Sequence, residues 1–446
     1  MTHGSQWVTV QEIAAPGKWS LNGGPFGSKL VSKDYVTEGV PVIRGANLPF
    51  DSRFSQEEFV FVSPEKAQSL IAHSAKRGDV VFTQRGTLGQ VGLIPDDSKH
   101  GLYIISQSQM KLTVDETKAD PEWIYYYFRQ PAVIEQLIGL QSSSGVPHIN
   151  LATLREYRLP LPPLPTQRKI AAILSAYDDL IENNTRRVRV LEQMARALYR
   201  EWFVEYRYPG HEQAQWVEDE AGRRPQGWEW VTVGDVALVH RGRSYKKENL
   251  VETGGMPFIN LKCIERDGGF RMDGIKRYEG PIKPTQTVVA DDIVMGVTDM
   301  TQERRIVARA ARIPRLEAPA AVSMDVVKIQ PREDISNSYL YGMFRFSDFA
   351  DEVKLHANGA NVLHLNPERI TAFEFALPNE DLRNQYGQFA SAIYSQIDVL
   401  NLRNANLRRT RDLLLPRLVS GELDVSGLRV AGIEEEFDAV EREAGQ

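Results

Sequence analysis

Several short polar stretches carry arginine, asparagine, glutamine and lysine, whose side chains can hydrogen-bond to the base edges exposed in the grooves of a duplex. They stand in predicted turns, among the glycines and prolines that interrupt short β-branched runs. The candidates are Arg44, Asn47, Gln84 and Arg85 in the first half of the chain, and Arg243, Asn260, Lys262, Gln302 and Arg304 in the second. For each of them a plain surface role is an equally good interpretation.

Each half also has a polar loop before a His-x-Asn sequence. The first loop contains Ser143 and leads to His148, and the second contains Asn361 and leads to His364. Backbone N–H groups and hydroxyls in such loops are typical of positions that contact phosphates. A solvated connector is the alternative interpretation.

Motifs of enzymes are missing from the sequence. There is no phosphate-binding Gly-x-x-x-x-Gly-Lys-Ser/Thr loop, and no Asn-Pro-Pro-aromatic sequence typical of amino-methyltransferases. The glycines at 86–92 have the wrong spacing for a dinucleotide site, and the acidic turn at 95–99 lacks the separate first acid of a nuclease. The eight histidines and one cysteine show no metal-ligand spacing. A catalytic site would have to be assembled from distant residues.

Two stretches with apolar residues three and four apart must position these polar turns. The pattern predicts two long helices packed on each other along an apolar seam. In the first stretch, 164–206, the predicted seam is Ile170, Ile173, Tyr177, Leu180, Asn184, Leu191, Met194 and Leu198. In the second, about 381–415 with Pro416 at its end, the predicted seam is Tyr386, Phe389, Ile393, Ile397, Leu400, Leu407 and Leu414. Asn184 is the polar exception, and a polar seam residue usually fixes helix register.

The chain is an internal duplication with an offset of 216 residues. The matching segments include residues 39–43 with 255–259, 148–150 with 364–366, and Leu191 with Leu407. Each copy reads as a mixed α/β part with short strands, followed by one long helix. Within the copies, further helices are predicted at 120–138, with an aromatic stripe that is core or a base-stacking platform, and at about 336–354.

The composition limits the class of protein but does not identify a binding partner. The net charge of −6 does not favour nucleic acid, although residues 431–446 alone carry −5 of it. The single cysteine, Cys263, suits a reducing compartment. No run of 18 apolar residues and no secretory signal is present, so we expect a cytoplasmic protein with no membrane span.

The chain resembles the DNA specificity subunit of type I restriction–modification systems. The most specific match is 159–170, Leu-Pro-Leu-Pro-Pro-Leu-Pro-Thr-Gln-Arg-Lys-Ile, which runs on to Ile-Glu-Asn-Asn at 181–184. Other matching segments are 24–28, 35–45, 78–89 and 413–423. In one departure, the second copy has Leu-Pro-Asn-Glu at 377–380 where the first has the longer proline-rich run, so the two docking surfaces for partners could differ.

The resemblance implies an α+β chain whose two similar mixed α/β target recognition domains are separated by two long helices packed as an antiparallel coiled coil. The expected divisions are recognition domains at 1–160 and 230–376, conserved helices at 161–208 and 377–424, a linker at 209–229, and an acidic, disordered tail at 425–446. We expect the seam residues to hold the helices together while the outer helix surfaces dock partners. The chosen seam residues are Ile173, Tyr177, Asn184, Leu191, Leu198, Ile393, Ile397, Leu400 and Leu407.

The resemblance further implies a non-catalytic chain that binds a bipartite, asymmetric site in double-stranded DNA. It implies two methylation subunits as partners, with restriction subunits attached through them. S-adenosylmethionine, ATP and Mg²⁺ would serve those partners, and this chain would hold no cofactor or metal. Two other interpretations stay open from the residues alone: a standalone DNA-modifying or DNA-cleaving enzyme with an unrecognised site, and a coiled-coil scaffold that does not contact DNA.

Overall fold

The computed structural model describes residues 5–140, 148–220 and 222–429. The chain divides into two compact units, the first made of Met1–Asn184 with Arg403–Gln446 and the second of Thr185–Leu402. Both long helices contribute to both units. The domain boundaries expected from the sequence divide the chain differently and stay a prediction.

The first unit contains two main sheets and a strand pair. The four-stranded antiparallel sheet has the order Leu21–Gly23, Gln109–Leu112, Val80–Thr83, Val91–Leu93. The five-stranded sheet has the order Tyr35–Val36, Val60–Val62, Val40–Ile43, Tyr103–Ile105, Ser74–Ala75, with Val40–Ile43 parallel to Tyr103–Ile105. Gln6–Thr9 pairs with Arg158–Leu161.

Alternate residues of the central strand Val80–Thr83 pack on different cores, as the two-residue period of a strand requires. Val80 and Phe82 lie in the core beneath the helix Pro121–Phe128, and Val81 lies in a core shared with Ile43 and Tyr103. Both faces of the strand are therefore covered. This explains its unbroken apolar sequence.

The remaining helices of the first unit are short. The prediction of one continuous helix at 120–138 is wrong. This segment forms two helices, Pro121–Phe128 and Pro131–Gly139, because Pro131 has no N–H for a continuous helix and disfavours helical geometry at the preceding residue. Its aromatic stripe is buried, so the core interpretation is confirmed. The other helices are Pro64–Ser69 and Leu151–Glu156, the second capped by Asn150.

The two main sheets of the second unit repeat the strand order and the pairing of the first unit. Its four-stranded sheet has the order Ala237–Arg241, Val326–Pro331, Ile293–Gly296, Ala310–Arg312. Its five-stranded sheet has the order Leu250–Val251, Lys276–Tyr278, Met256–Ile259, Ala320–Val322, Thr287–Val288. Strand pairs join Glu229–Thr232 to Glu374–Leu377, Thr298–Asp299 to Leu363–His364, and Trp216–Asp219 to Gly222–Pro225. The last pair is a hairpin in the predicted linker.

The helices of the second unit show one further difference from prediction. The helix expected at about 336–354 forms Asn337–Phe346 and Phe349–Val353, with a 3₁₀ turn at Lys354–His356. Ser347 ends the first of these: its hydroxyl donates to Met343 O and accepts from Phe349 N, which offers the backbone an alternative to the helical ladder. The short helices are Val233–Val236 and Pro367–Thr371.

The two long helices are Leu164–Tyr199, continued by a π turn at Arg200–Val204, and Glu380–Val419. In the first unit they pack antiparallel, since Asp178 pairs with Arg411 and Asn184 with Asn404. Pro416 lies inside the second helix, so its predicted end there is wrong. Only the bond of the proline's own nitrogen is lost, and its carbonyl still accepts from Ser420 N at 3.0 Å.

The observed seam keeps the heptad spacing with some different residues. Leu180, Met194 and Phe389 are about half exposed, so their predicted place on the seam is wrong. Their neighbours Ile181, Ala195 and Ala390 are buried instead. The predicted residues Asn184, Ile393, Ile397 and Leu400 are buried, Ile173, Leu191 and Leu198 pack partly buried against the cores, and Tyr177 and Leu407 are half-buried.

The ends of the helices close the two cores. In the second unit the Tyr386 and Tyr199 rings lie 5.5 Å apart, and the Tyr386 hydroxyl donates to Ala195 O at 3.5 Å. In the first unit Val425 is buried and Ser426 O accepts from Lys169 Nζ at 2.8 Å. Five residues of the predicted tail thus belong to this unit, and 430–446 lie outside the described residues.

Candidate nucleic-acid interface

Three of the predicted DNA-contacting residues meet at one end of the strand Val80–Thr83. The Gln84 N–H donates to Ser108 O at 2.8 Å, and Gln84 O accepts from Ile149 N at 3.0 Å. Arg85 forms an antiparallel bridge with His148. We call this set, with the turn 106–108, the first loop cluster. Ser143, predicted to join it, lies outside the described residues.

The side chains of the first loop cluster differ in how accessible they are to a ligand. Gln84 is buried, and its amide donates to Gln107 O at 2.6 Å, so it fixes the turn beneath it. Arg85 is exposed, and His148 is half-buried. Of these residues, Arg85 is the one that extends a charged group into solvent.

Arg44 precedes a neighbouring 3₁₀ turn, Gly45–Asn47, and Asn47 is the last residue of that turn. The Asn47 side chain is fully buried: it accepts from Arg44 N at 2.9 Å and donates to Glu57 O at 2.9 Å. Gln90 Nε2 donates to Gly45 O at 3.1 Å, and Gln90 O accepts from Thr83 N at 3.0 Å, so Gln90 connects this turn to the strand that precedes Gln84. Asn47 therefore has a structural role here, and base contact by it stays a prediction.

The second unit gathers the corresponding residues at the end of strand Ile293–Gly296. Gln302 Nε2 donates to Ala360 O at 3.0 Å, and Arg304 Nη2 donates to Ala357 O at 3.5 Å. These bonds hold the loop 300–305 against the loop that presents the exposed Asn361. We call these two loops, with the turn 323–325, the second loop cluster.

Arg243 joins the second loop cluster through its backbone. Its N–H donates to Val322 O at 2.6 Å, beside Gly242, where a Cβ would lie 2.0 Å from Ser323 O. Only glycine fits so close an approach of two backbones. Asn260 and Lys262 stand at a separate 3₁₀ turn: Asn260 is buried and donates to Gly274 O at 2.8 Å, whereas Lys262 is exposed.

One residue missed from the sequence closes the loop 300–305. Asp299 is 1% exposed, and its carboxylate accepts from Thr301 N, from Thr301 Oγ1 and from Ile306 N at 2.8–2.9 Å. Burial alone would raise its pKa, but the hydrogen bonds from Ile306 and Thr301 hold the pKa of Asp299 below its usual value. An Asp two residues before a Thr is an Asx-turn signal, so the sequence did contain this information.

The loop clusters carry cations without counter-charges. Among the described residues, no ion pair involves Arg85, Arg243, Arg304 or Arg305. By contrast, Arg53, Arg312 and Arg411 are buried and paired with carboxylates. Unpaired guanidinium groups on turns suit phosphate oxygens.

Two other kinds of feature, a metal-binding group and a membrane-spanning helix, are absent from the part of the chain that the structure describes. Residues 5–140, 148–220 and 222–429 contain no group of three or more His, Cys, Asp or Glu side chains placed to hold a metal ion. Over the same ranges, none of the helices combines the length and apolar character that crossing a bilayer needs.

A separate cavity of about 610 Å³ lies on the second unit, along the long helix. The helix contributes small and polar residues: Asn384, Gly387, Gln388, Ser391, Ala392 and Ser395. Gly387 is required there, because a Cβ would lie 2.5 Å from Ser336 Oγ. Ser338 also lines the cavity and is buried.

Comparison with known proteins gives one consistent result. A family model described as the type I restriction modification DNA specificity domain matches residues 61–193 and 225–409. The MjaIX specificity subunit of Methanocaldococcus jannaschii is 23% identical over 359 residues, which cover 79% of each chain. The HindI specificity subunit of Haemophilus influenzae is 22% identical, over 78% of this chain and 87% of that protein.

A solved structure has the same fold. The S subunit of a type I restriction–modification system from M. genitalium matches with a TM-score of 0.56 at 15% identity, over 93% of this chain and 96% of that one. The predicted α+β class, with two similar domains and an antiparallel pair of long helices, is confirmed.

Proposed function

Because this chain belongs to the family of type I restriction–modification DNA specificity proteins, we propose that its two loop clusters each bind one half of a bipartite, asymmetric site in double-stranded DNA. The observation that carries the proposal is their equivalence: both lie at the end of matching strands, Val80–Thr83 and Ile293–Gly296, in units of the same topology. The chain is the non-catalytic specificity component and directs methylation and restriction to that site.

The residues of the two clusters differ although their backbones correspond. The first contains Gln84, Arg85 and His148, of which Arg85 is exposed, and the second contains Gln302, Arg304 and Asn361, of which Gln302 and Asn361 are exposed. Base edges in the major groove are distinguished by their pattern of donors, acceptors and methyl groups. Different side chains on equivalent backbones therefore support an asymmetric site, with the unpaired arginines contributing phosphate contacts.

The partners in this proposal are two methylation subunits, through which restriction subunits attach. S-adenosylmethionine, ATP and Mg²⁺ serve those subunits. The outer faces of the long helices are the docking surfaces. The small exposed side chains along the 610 Å³ cavity, with Ser391 and Ser395 one turn apart, support close approach of a partner backbone.

The test is to sequence the methylated positions in a host that expresses this chain with its methylation subunit, and in a host that expresses the methylation subunit alone. We expect one bipartite motif, methylated only when this chain is present. A continuous motif, or the same methylation without this chain, would contradict the proposal. A small-to-large change, Ser391→Leu, compared with the size-conserving Gln388→Leu in the same cavity, tests docking: Ser391→Leu should weaken co-purification of the partner more.

A further inference from the structure

Met300 is the most exposed large apolar side chain among the described residues, at 77% of its surface. It lies in the loop 300–305 of the second loop cluster, directly after Asp299. Met324, in the turn 323–325, is 52% exposed. Apolar side chains displayed on loops that are otherwise polar usually mark a contact with another molecule.

Hydrogen bonds fix the two turns beside each other. Val297 N donates to Asp325 O at 2.9 Å, and Thr298 Oγ1 donates to Asp325 Oδ1 at 3.2 Å. Asp299 closes the loop that follows. The turns that carry the two methionines are therefore held in place before any ligand binds, which lowers the entropic cost of a contact.

The surroundings of these methionines are polar and charged, with three arginines and the exposed carboxylate Glu303 in the second loop cluster. Arg243 is hydrogen-bonded to the strand that precedes the turn 323–325. Arg304 and Arg305 lie in the same loop as Met300, and Gln302 lies between Met300 and Arg304 in the sequence. An apolar contact beside arginines that form no ion pair among the described residues matches a thymine methyl group, which lies in the major groove between two rows of phosphates.

The first loop cluster carries no methionine, and the exposed apolar side chain near it is of another kind: Phe26, 61% exposed, lies two residues after Gly24, where a Cβ would lie 1.9 Å from Ser106 O. The turn 106–108 of this cluster is Ser-Gln-Ser, and the loop that it supports begins with Gln84 and Arg85. Arg85 can donate to acceptors on DNA, whereas the Gln84 amide is bonded to Gln107 O. The two clusters thus differ in the kind of chemistry that they can read.

We propose that Met300 and Met324 contact the 5-methyl groups of thymines in the half-site bound by the second unit, and so help to determine its sequence. This inference rests on the proposed DNA-binding function. It adds a specific atom on the DNA and two specificity-determining residues on the protein.

The experiment uses the assembled complex of this chain with its methylation subunits, and duplexes that contain the motif found by methylation sequencing. Thymines are replaced by uracil, which removes only the methyl group, first in one half-site and then in the other. Replacement in the half bound by the second unit should weaken binding about three- to fivefold for each contacted methyl. Replacement in the other half is the comparison, and any effect there should not depend on either methionine.

The protein variants connect this effect to the methionines. With Met300→Ala and Met324→Ala combined, thymine and uracil duplexes should bind equally well. Met272→Ala, at an exposed methionine outside these turns, should keep the difference, and melting curves of all variants should overlap because these side chains are exposed.

Two results would overturn the inference: uracil in the second half without effect on binding, or a thymine–uracil difference that survives in the double methionine variant. A motif whose second half contains no A·T pair would also overturn it. Failure of the complex to bind the unmodified thymine duplex is a different outcome, because it would contradict the proposed function itself.

Discussion

The side-chain amide of Asn184 donates a hydrogen bond of 2.9 Å to the side-chain oxygen of Asn404, and both residues are buried between the two long helices. Each helix thus places a polar residue on its seam at the same level. A shift of one helix by a heptad would separate the two amides and bury each against apolar side chains. The pair therefore specifies the register of the helices in the first unit.

The first prediction concerns this pair. Asn184→Leu should destabilise the first unit by about 1–3 kcal/mol, because the buried Asn404 amide loses this bond. The double variant Asn184→Leu, Asn404→Leu should recover most of the loss through apolar packing. Urea unfolding curves measure both. A single variant as stable as the unmodified chain would contradict the assigned role.

A buried ion pair lies about two turns away. Arg411 pairs with Asp178, which also accepts a hydrogen bond of 2.7 Å from the Tyr126 hydroxyl. We predict that Arg411→Met costs about 3–5 kcal/mol, because it leaves a buried carboxylate without its counter-charge. Tyr126→Phe should cost about 1 kcal/mol.

The control for this prediction is Arg417→Met, in the exposed pair of Arg417 with Glu422. Its effect on unfolding should stay below about 1 kcal/mol. Equal losses from Arg411→Met and Arg417→Met would show that burial does not determine the strength of these pairs.

The third prediction concerns two buried arginines, one in each unit, that connect the sheets of that unit to a long helix. Arg53 donates to Glu182 at 3.0 Å from two of its nitrogens, and Arg312 pairs with Asp398. Glu182 and Asp398 are equivalent positions of the duplication. We therefore expect each pair to help position the loop cluster of its own unit on the helix.

Arg53→Met should therefore reduce discrimination in one half-site only. Single mismatches typically cost about 1–3 kcal/mol of binding free energy, and we expect that cost to shrink in the half bound by the first unit. Arg312→Met should act on the other half. Competition binding with mismatched duplexes measures both, and an equal loss in both halves from either variant would count against separate anchors.

The fourth prediction concerns pH. Burial and the nearby Asp120 raise the pKa of Glu122 to about 7, above its value of about 4.3 in an unfolded chain. Between these two values the folded state binds more protons, so this group lowers stability as pH rises from about 4.3 to about 7. Glu122→Gln should flatten that part of the melting temperature profile. Because the side chain is 36% exposed, solvent screening makes the effect modest; an unchanged slope would contradict the raised pKa.

The sequence predicted the duplication and the two long helices because both depend on patterns that repeat along the chain. The phase of the seam was harder to predict. Ile170 and Ile173 are both apolar, so alternative stripes fit the first turns equally well. Asn404 and Arg411 are polar residues at buried seam positions, and an apolar pattern cannot reveal them. Their partners, Asn184 and Asp178, are more than 200 residues away.

The same limit applies to the candidate site, because local patterns are visible in the sequence and contacts between distant residues are not. The glycine, asparagine and arginine residues of the turns indicated where polar contacts would be made. Which side chains stay available depends on contacts distant in sequence, such as Gln84 with Gln107 and Asn260 with Gly274. These amides were predicted to contact bases, whereas the structure gives them backbone partners. No local signal distinguishes them from the exposed Arg85 and Lys262.

The central claim, that each loop cluster reads one half of a bipartite site, is tested most directly by exchanging one of them. Residues 1–158 are replaced with the matching region of a relative that has a different methylation motif, and the methylated positions in the host genome are sequenced. We predict that one half of the motif changes to that of the relative, while the other half is retained. A motif in which both halves change, or neither does, would contradict the account.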